Sequence, residues 1–210
     1  MRGYLALVGC LVAATPGVRA ESFAWAENIG FLNLDATTSS SVLAGAAYSR
    51  DHLSGFVWSE AAGWISLGVT GVPGPYSNTS GLDYGINIDV CSGRLGGFAW
   101  GENIGWVNFG PFLEDVVAPD GSSPAQARLG YDRWFGYAWG ENIGWINFDD
   151  QSVIAAIPMP LDITRDGVTD GLDLLAYLDL VFGSCGRADV DEDQSVDAFD
   201  VSLYLSSLLG

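Results

Sequence analysis

The sequence predicts two structural classes in one chain: a mainly β N-terminal repeat domain of stacked or closed three-stranded meanders, then a small all-α domain. Three observations carry this. A segment of aromatic and β-branched residues recurs four times before residue 150, and acidic residues become regularly spaced after residue 161. The 28 glycines among 210 residues supply the tight turns that many short strands need. With hydrophobic residues at 49%, both parts have material for a core, and the composition is not that of a disordered chain.

The repeat reads SFAWAENIGFLNL at 22–34, GFVWSEAAGWISL at 55–67, GFAWGENIGWVNF at 97–109 and GYAWGENIGWINF at 136–148. Aromatic and β-branched arms around a Glu-Asn-Ile-Gly center predict a β-hairpin, with a four-residue loop closed by Gly at positive φ. In the register this suggests, Phe98 and Trp100 face Val107 and Phe109 on one apolar side, while Ala99, Gly101, Trp106 and Asn108 occupy the other. An extra strand is expected before each of the last three hairpins, at 42–48, 84–89 and 127–131. One such unit cannot bury its own face, so neighbors must complete the core around shared aromatics, as a stacked solenoid, a small barrel or a propeller-like ring.

The recurring Glu27, Glu60, Glu102 and Glu141, with Asn28, Asn103 and Asn142, fit turn chemistry, in which polar side chains bond nearby backbone. Trp64, Trp106 and Trp145 have two readings: packing between repeats, or, with Asn108 and Asn147, a row of stacking platforms for sugar rings. The segment resembles the Trp-rich repeats of exported bacterial proteins, a resemblance that implies location and repeat architecture alone.

After a linker at 151–161, the segment 162–210 holds eleven of the 26 acidic residues against two Arg. The stretch DITRDGVTDGLD at 162–173 places oxygen donors at loop positions one, three, five, nine and twelve, and DVDEDQSVDAFD at 189–200 repeats the spacing 27 residues later. A calcium ion takes about six to eight oxygens, and such a loop offers alternating carboxylates plus the position-seven carbonyl. The expected ligands are Asp162, Thr164, Asp166, Val168, Asp170 and Asp173, then Asp189, Asp191, Asp193, Ser195, Asp197 and Asp200. Apolar stripes at Leu174, Leu178 and Phe182, and at Val201, Leu205 and Leu208, predict helices over 174–182 and 201–209.

This duplicated loop-then-helix pattern resembles the type I dockerin module over 162–210. The resemblance implies two calcium ions, two roughly antiparallel helices, and docking onto a cohesin-like domain of a scaffold or surface protein in a polysaccharide-degrading assembly. The sequence departs from the family at Thr164, a weaker ligand than Asp or Asn, and at Gln194, where Gly allows the sharp turn at a saving of about 1 kcal/mol. Loop positions ten and eleven, Ser-Thr in many dockerins, are Gly171-Leu172 and Ala198-Phe199.

Residues 1–20 read as an export signal: Arg2, a short apolar run, and the small-x-small site Val18-Arg19-Ala20 ahead of residue 21. A secreted or cell-surface location follows as the expectation. The net charge of −18, with no Lys, argues against nucleic acid and anionic membrane surfaces. Once exported, Cys91 and Cys185 are an even pair that could form a disulfide, but they fall in different expected domains, 21–150 and 162–210, so independent thiols are the favored expectation.

No catalytic constellation is visible. His52 is the one imidazole, which excludes multi-histidine zinc sites, and four near-identical Glu turns suit structure better than an asymmetric glycosidase pair. The expected function is calcium-dependent anchoring of a binding or structural domain, not catalysis. The alternative is a small carbohydrate-binding or carbohydrate-active accessory protein of polysaccharide catabolism.

Overall fold

Each repeat forms one hairpin, and the four hairpins close on one another. The structure, a computed structural model, describes residues 22–36, 45–110, 113, 116–121, 125–149, 155 and 161–209; the export-signal reading and most of the linker lie outside them. The hairpins are β1 (Phe23–Ala26) with β2 (Gly30–Asn33), β4 (Leu53–Ser59) with β5 (Gly63–Ser66), β7 (Leu95–Gly101) with β8 (Gly105–Gly110), and β11 (Tyr137–Gly140) with β12 (Gly144–Asn147). Between them lie β3 (Ala46–Tyr48), β6 (Ile86–Ile88), and the separate ladder of β9 (Arg128–Leu129) with β10 (Trp134–Phe135). The order β2-β1-β12-β11-β8-β7-β5-β4, closed by β4 on β2, is an eight-stranded antiparallel barrel. Closure leaves these eight strands without a free edge.

The turn of the third hairpin shows the local logic. Ile104 N–H donates to Gly101 carbonyl at 3.2 Å, and Gly105 follows at φ +76. This is a tight turn completed by a residue in the left-handed region, which Gly enters without a Cβ clash. Gly101 pairs with Gly105, so three residues separate them instead of four, and the register shifts from the expected one. Trp100 lies opposite Trp106 and Ala99 opposite Val107.

That shift turns over the first arm of the hairpin relative to the sequence expectation: Ala99 and Gly101 face inward and Trp100 outward, while Val107 and Phe109 face inward as expected. The interior is filled by three sets of four repeat-equivalent side chains: Ala24, Val57, Ala99 and Ala138; Leu32, Ile65, Val107 and Ile146; Leu34, Leu67, Phe109 and Phe148. All are buried. An eight-stranded barrel is only wide enough for its own side chains, so Ala and branched aliphatics go inward and the paired Trp rings outward. Trp134, fully buried, stacks on Phe148 with centroids 4.9 Å apart and donates its indole N–H to Tyr48 Oη at 2.9 Å. The void that remains along the interior is about 10 Å³.

The extra strands are present, β3 over the described part of 42–48 and the other two shorter than expected. β3 pairs with the first part of β4, and β6 with the first part of β7. The third, β9, pairs with β10, which Gly136 separates from β11. Ala155, in the expected linker, is buried in the barrel core and accepts from Trp134 N–H at 2.8 Å.

Helices α1 (Gly171–Phe182) and α2 (Ala198–Leu209) begin three residues earlier than expected, because the last loop positions are already helical. Asp170 caps α1, and Asp173 completes a capping box. The buried stripe runs through Tyr177 and Leu180 on α1 and Tyr204 on α2; Phe182 is 83% exposed, against the expected stripe. Tyr177 and Tyr204, 27 residues apart like the loops, stack with centroids 3.9 Å apart and planes 4° apart. Tyr177 Oη donates to Ala188 carbonyl and Tyr204 Oη to Leu161 carbonyl, each at 3.1 Å. Each helix thus holds the residue that precedes the other unit's loop, an exchange that locks the two units together.

The helical pair packs on the barrel. Tyr131 and Val90 from the β region share a buried cluster with Ile163, Tyr177 and Tyr204. Cys91 and Cys185 form a disulfide with Cα atoms 4.6 Å apart, and Arg187 N–H donates to Cys91 carbonyl at 3.2 Å. The expectation of independent thiols is thereby corrected: domain packing brings the β6–β7 turn against the segment after α1, a contact that no local sequence pattern announces. Among the described residues, no helix is long and apolar enough to cross a membrane.

Candidate functional site

The two acidic loops have the same hydrogen-bond plan. In the first, Asp162 at position one accepts from Asp166 N–H at 3.2 Å and Gly167 N–H at 2.9 Å. In the second, Asp189 accepts from Asp193 N–H at 3.1 Å and Gln194 N–H at 2.9 Å. Position five accepts from position seven in both: Val168 N–H to Asp166, and Ser195 N–H to Asp193. The position-nine carboxylates Asp170 and Asp197 accept from Leu172 N–H and Phe199 N–H. At position twelve, Asp173 accepts from Thr164 N–H and Asp170 N–H, and Asp200 accepts from Asp191 N–H and Asp197 N–H; Asp200 also accepts from Val190 N–H at 2.6 Å.

Backbone shape is also duplicated. Positions four and six are left-handed in both loops: Arg165 at φ +60 and Gly167 at φ +89, Glu192 at φ +61 and Gln194 at φ +73. Gln194 therefore holds a conformation that Gly adopts freely and a side chain does not.

The second loop brings Asp189, Asp191 and Asp193 together, with ligand oxygens all within 4.8 Å of one another. In the first loop, Thr164 Oγ1 lies 3.4 Å from Asp162 Oδ1 and 3.0 Å from Asp173 Oδ1. Both donor sets consist of hard oxygens, the set that suits calcium. Asp162, Asp173 and Asp200 are buried, and their backbone N–H partners offset the loss of water. Burial raises the Asp173 carboxyl, but hydrogen bonds from Thr164 and Asp170 outweigh it and leave the group below the ordinary range.

The sugar-platform residues sit on the outer wall of the barrel. Each Trp packs on its cross-strand partner: Trp64 on Trp58 with rings tilted, Trp106 on Trp100 and Trp145 on Trp139 edge-on, at centroid distances of 5.0, 4.7 and 5.1 Å. They belong to three hairpins that follow one another in the barrel order, and none of the three belongs to the barrel core. Asn108 Oδ1 and Asn147 Oδ1 each accept a backbone N–H two residues on, from Gly110 and Asp149, both at 2.8 Å. Trp106 and Asn108 do meet Trp139 and Glu141 across the seam between the third and fourth hairpins, in a cleft of about 580 Å³.

The Asn residues of the ENIG turns act at longer range than expected. Asn28 Nδ2 donates to Ile143 carbonyl at 3.2 Å, Asn103 Nδ2 to Ala62 carbonyl at 3.1 Å, and Asn142 Nδ2 to Ile104 carbonyl at 3.0 Å. Each clamps its hairpin to the neighboring one. Turn chemistry within the same hairpin, the expectation, is what Asn108 and Asn147 supply instead.

A cleft of about 790 Å³ between the first two hairpins, lined in part by Phe31, Asn33, Trp58 and Glu60, was not singled out by the repeat reading. The signal for it was in the sequence: the second repeat alone has Ala61 where the others have Asn. Comparison with known families, characterized proteins and solved structures returns no match.

Proposed function

We propose that the chain is an exported calcium-binding protein whose C-terminal loop–helix pair anchors the β-barrel to a protein partner of the cohesin type at a scaffold or cell surface. The observation that carries this is the shared position-one hydrogen bonds and left-handed positions of the two acidic loops. Asp162, Thr164, Asp166, Asp170 and Asp173 would hold one calcium ion with the Val168 carbonyl. Asp189, Asp191, Asp193, Asp197 and Asp200 would hold the other with the Ser195 carbonyl. Bound calcium supplies positive charge that relieves carboxylate repulsion and fixes where each helix starts. The docking face is marked by Leu172 and Phe199, which occupy equivalent loop positions and are both exposed although apolar. The role is binding, not catalysis.

The direct test is surface plasmon resonance of the full chain over immobilized purified cohesin domains, with calcium and with chelator. Calcium-dependent binding that Leu172→Glu and Phe199→Glu weaken supports the reading. Binding to no cohesin, or binding indifferent to calcium, contradicts it.

A second reading is favored by the cleft that joins Trp106, Asn108, Trp139 and Glu141: the barrel binds carbohydrate, as an accessory module of polysaccharide breakdown. Indole beside amide and carboxylate is the chemistry that a sugar ring with its hydroxyls requires.

A further inference from the structure

Three of the four seams of the barrel are copies of one another. At each, the first Trp of one hairpin pairs with the Asn or Ser of its neighbor and a second residue pair follows: Trp25 with Asn147 and Ala26 with Ile146, Trp100 with Ser66 and Gly101 with Ile65, Trp139 with Asn108 and Gly140 with Val107. Each is then clamped by Asn28, Asn103 or Asn142 at 3.0–3.2 Å. The fourth seam, between β2 and β4, has the single pair Asn33 with Trp58. Ala61 replaces the clamping Asn there, and the Ile29 carbonyl receives Ser59 Oγ instead, at 3.4 Å. Ile29 is half-buried in consequence, whereas its counterparts Ala62, Ile104 and Ile143 are 1%, 5% and 1% exposed. The largest of the clefts described above lies on this seam.

We propose that the β2–β4 seam is a saccharide-binding site that takes a neutral pyranose ring of a polysaccharide; this rests on the carbohydrate reading above and adds a second cleft to the one that joins Trp106 and Trp139. Phe31 and Trp58 stand on opposite sides of the seam and offer apolar ring surface to the C–H faces of a sugar, with Ile29 and Ala61 beneath. Asn33 Oδ1 is occupied by Asp35 N–H at 2.9 Å, which leaves the amide N–H groups to donate, while the Glu60 carboxylate accepts. A donor and an acceptor at one cleft match hydroxyls, which do both, and an acyl chain would use neither. Glu60 and the net charge of −18 exclude uronic-acid, sulfated and phosphorylated chains. At about 790 Å³ the cleft is within the range of about 300–1,000 Å³ usual for small-ligand sites.

Ala61→Asn restores the missing clamp, so it closes the cleft without removing any lining aromatic. The test is affinity electrophoresis of the full chain through gels that contain a neutral β-glucan, a xylan, a mannan or an acidic pectin, then calorimetry with oligosaccharides of the chain retained. The proposal expects retention by a neutral polysaccharide. Ala61→Asn and Trp58→Ala should each weaken binding about tenfold, whereas Leu82→Ala, on exposed surface outside both clefts, should change it less than about twofold. Ala61→Asn should leave the melting temperature unchanged or raised, which separates loss of the site from loss of the fold. Undiminished binding by Ala61→Asn together with loss in Trp139→Ala overturns the seam assignment and leaves the carbohydrate reading standing. Retention by pectin alone overturns the neutral-ring assignment, and retention by none of the polysaccharides overturns both readings.

Discussion

The side-chain amide of Asn142 donates to the main-chain carbonyl of Ile104 at 3.0 Å, and this bond ties the turn of the fourth hairpin to that of the third. Asn142→Ala removes the donor and leaves the carbonyl unpaired in a partly buried place. A loss of about 1 kcal/mol is expected, measured as a lower urea midpoint followed by Trp emission. Asn103→Ala should behave alike, and an unchanged midpoint in both variants would show that backbone pairing alone holds the seams.

The disulfide between Cys91 and Cys185 closes a loop of 94 residues that includes half the barrel and the first helix. Replacing both with Ser should cost about 2–4 kcal/mol by releasing that constraint on the unfolded chain. Urea unfolding of the parent with and without reductant, beside the Ser variant, reads it. Equal midpoints in all three would mean that the bridge does not restrain the chain.

Tyr131 has a buried hydroxyl with no hydrogen-bond partner among the described residues, and burial, then the charge of Asp132, pushes its pKa from 10.0 up to about 12. The folded state keeps this proton where the unfolded chain releases it, so the stability it contributes is full below pH 10.0 and is lost as pH rises toward about 12. Tyr177 and Tyr204 are also raised, chiefly by burial, and add to the same alkaline loss. Tyr131→Phe should be neutral or slightly stabilizing at pH 7 and should lose less stability than the parent on going to about pH 11. A parent and variant with parallel stability–pH curves would refute the assignment.

Gln194 holds φ +73 where the first loop has Gly167. Gln194→Gly should relieve about 1 kcal/mol of backbone strain and tighten calcium at the second loop by up to about fivefold. Calorimetric titration against the parent decides it, and unchanged or weaker binding would show that loop charge alone sets the affinity.

The hairpins and the duplicated loops were legible because both are written in short-range repeats. The side that faces inward was legible for one arm alone: Val107 and Phe109 go in as expected, but Trp100 looks like a core residue beside Ala99, and the narrowness of a closed barrel sends Ala99 in and the indole out. Closure itself depends on bonds such as Asn103 to Ala62, 41 residues apart, which a turn-local reading assigns to the same hairpin. The Tyr177–Tyr204 stack shares the 27-residue offset of the loops, yet a leucine stripe conceals it. The bridge from Cys91 to Cys185 follows from domain packing, which no local pattern encodes.

The central claim is that the two acidic loops bind calcium independently of the aromatic barrel. Calorimetric titration of calcium into the chelator-treated full chain, beside Asp173→Ala and Asp200→Ala, measures this most directly. Two ions per parent chain and one per variant are predicted, with barrel Trp emission unchanged throughout. No saturable binding in the parent, or the same stoichiometry in all three proteins, would contradict it.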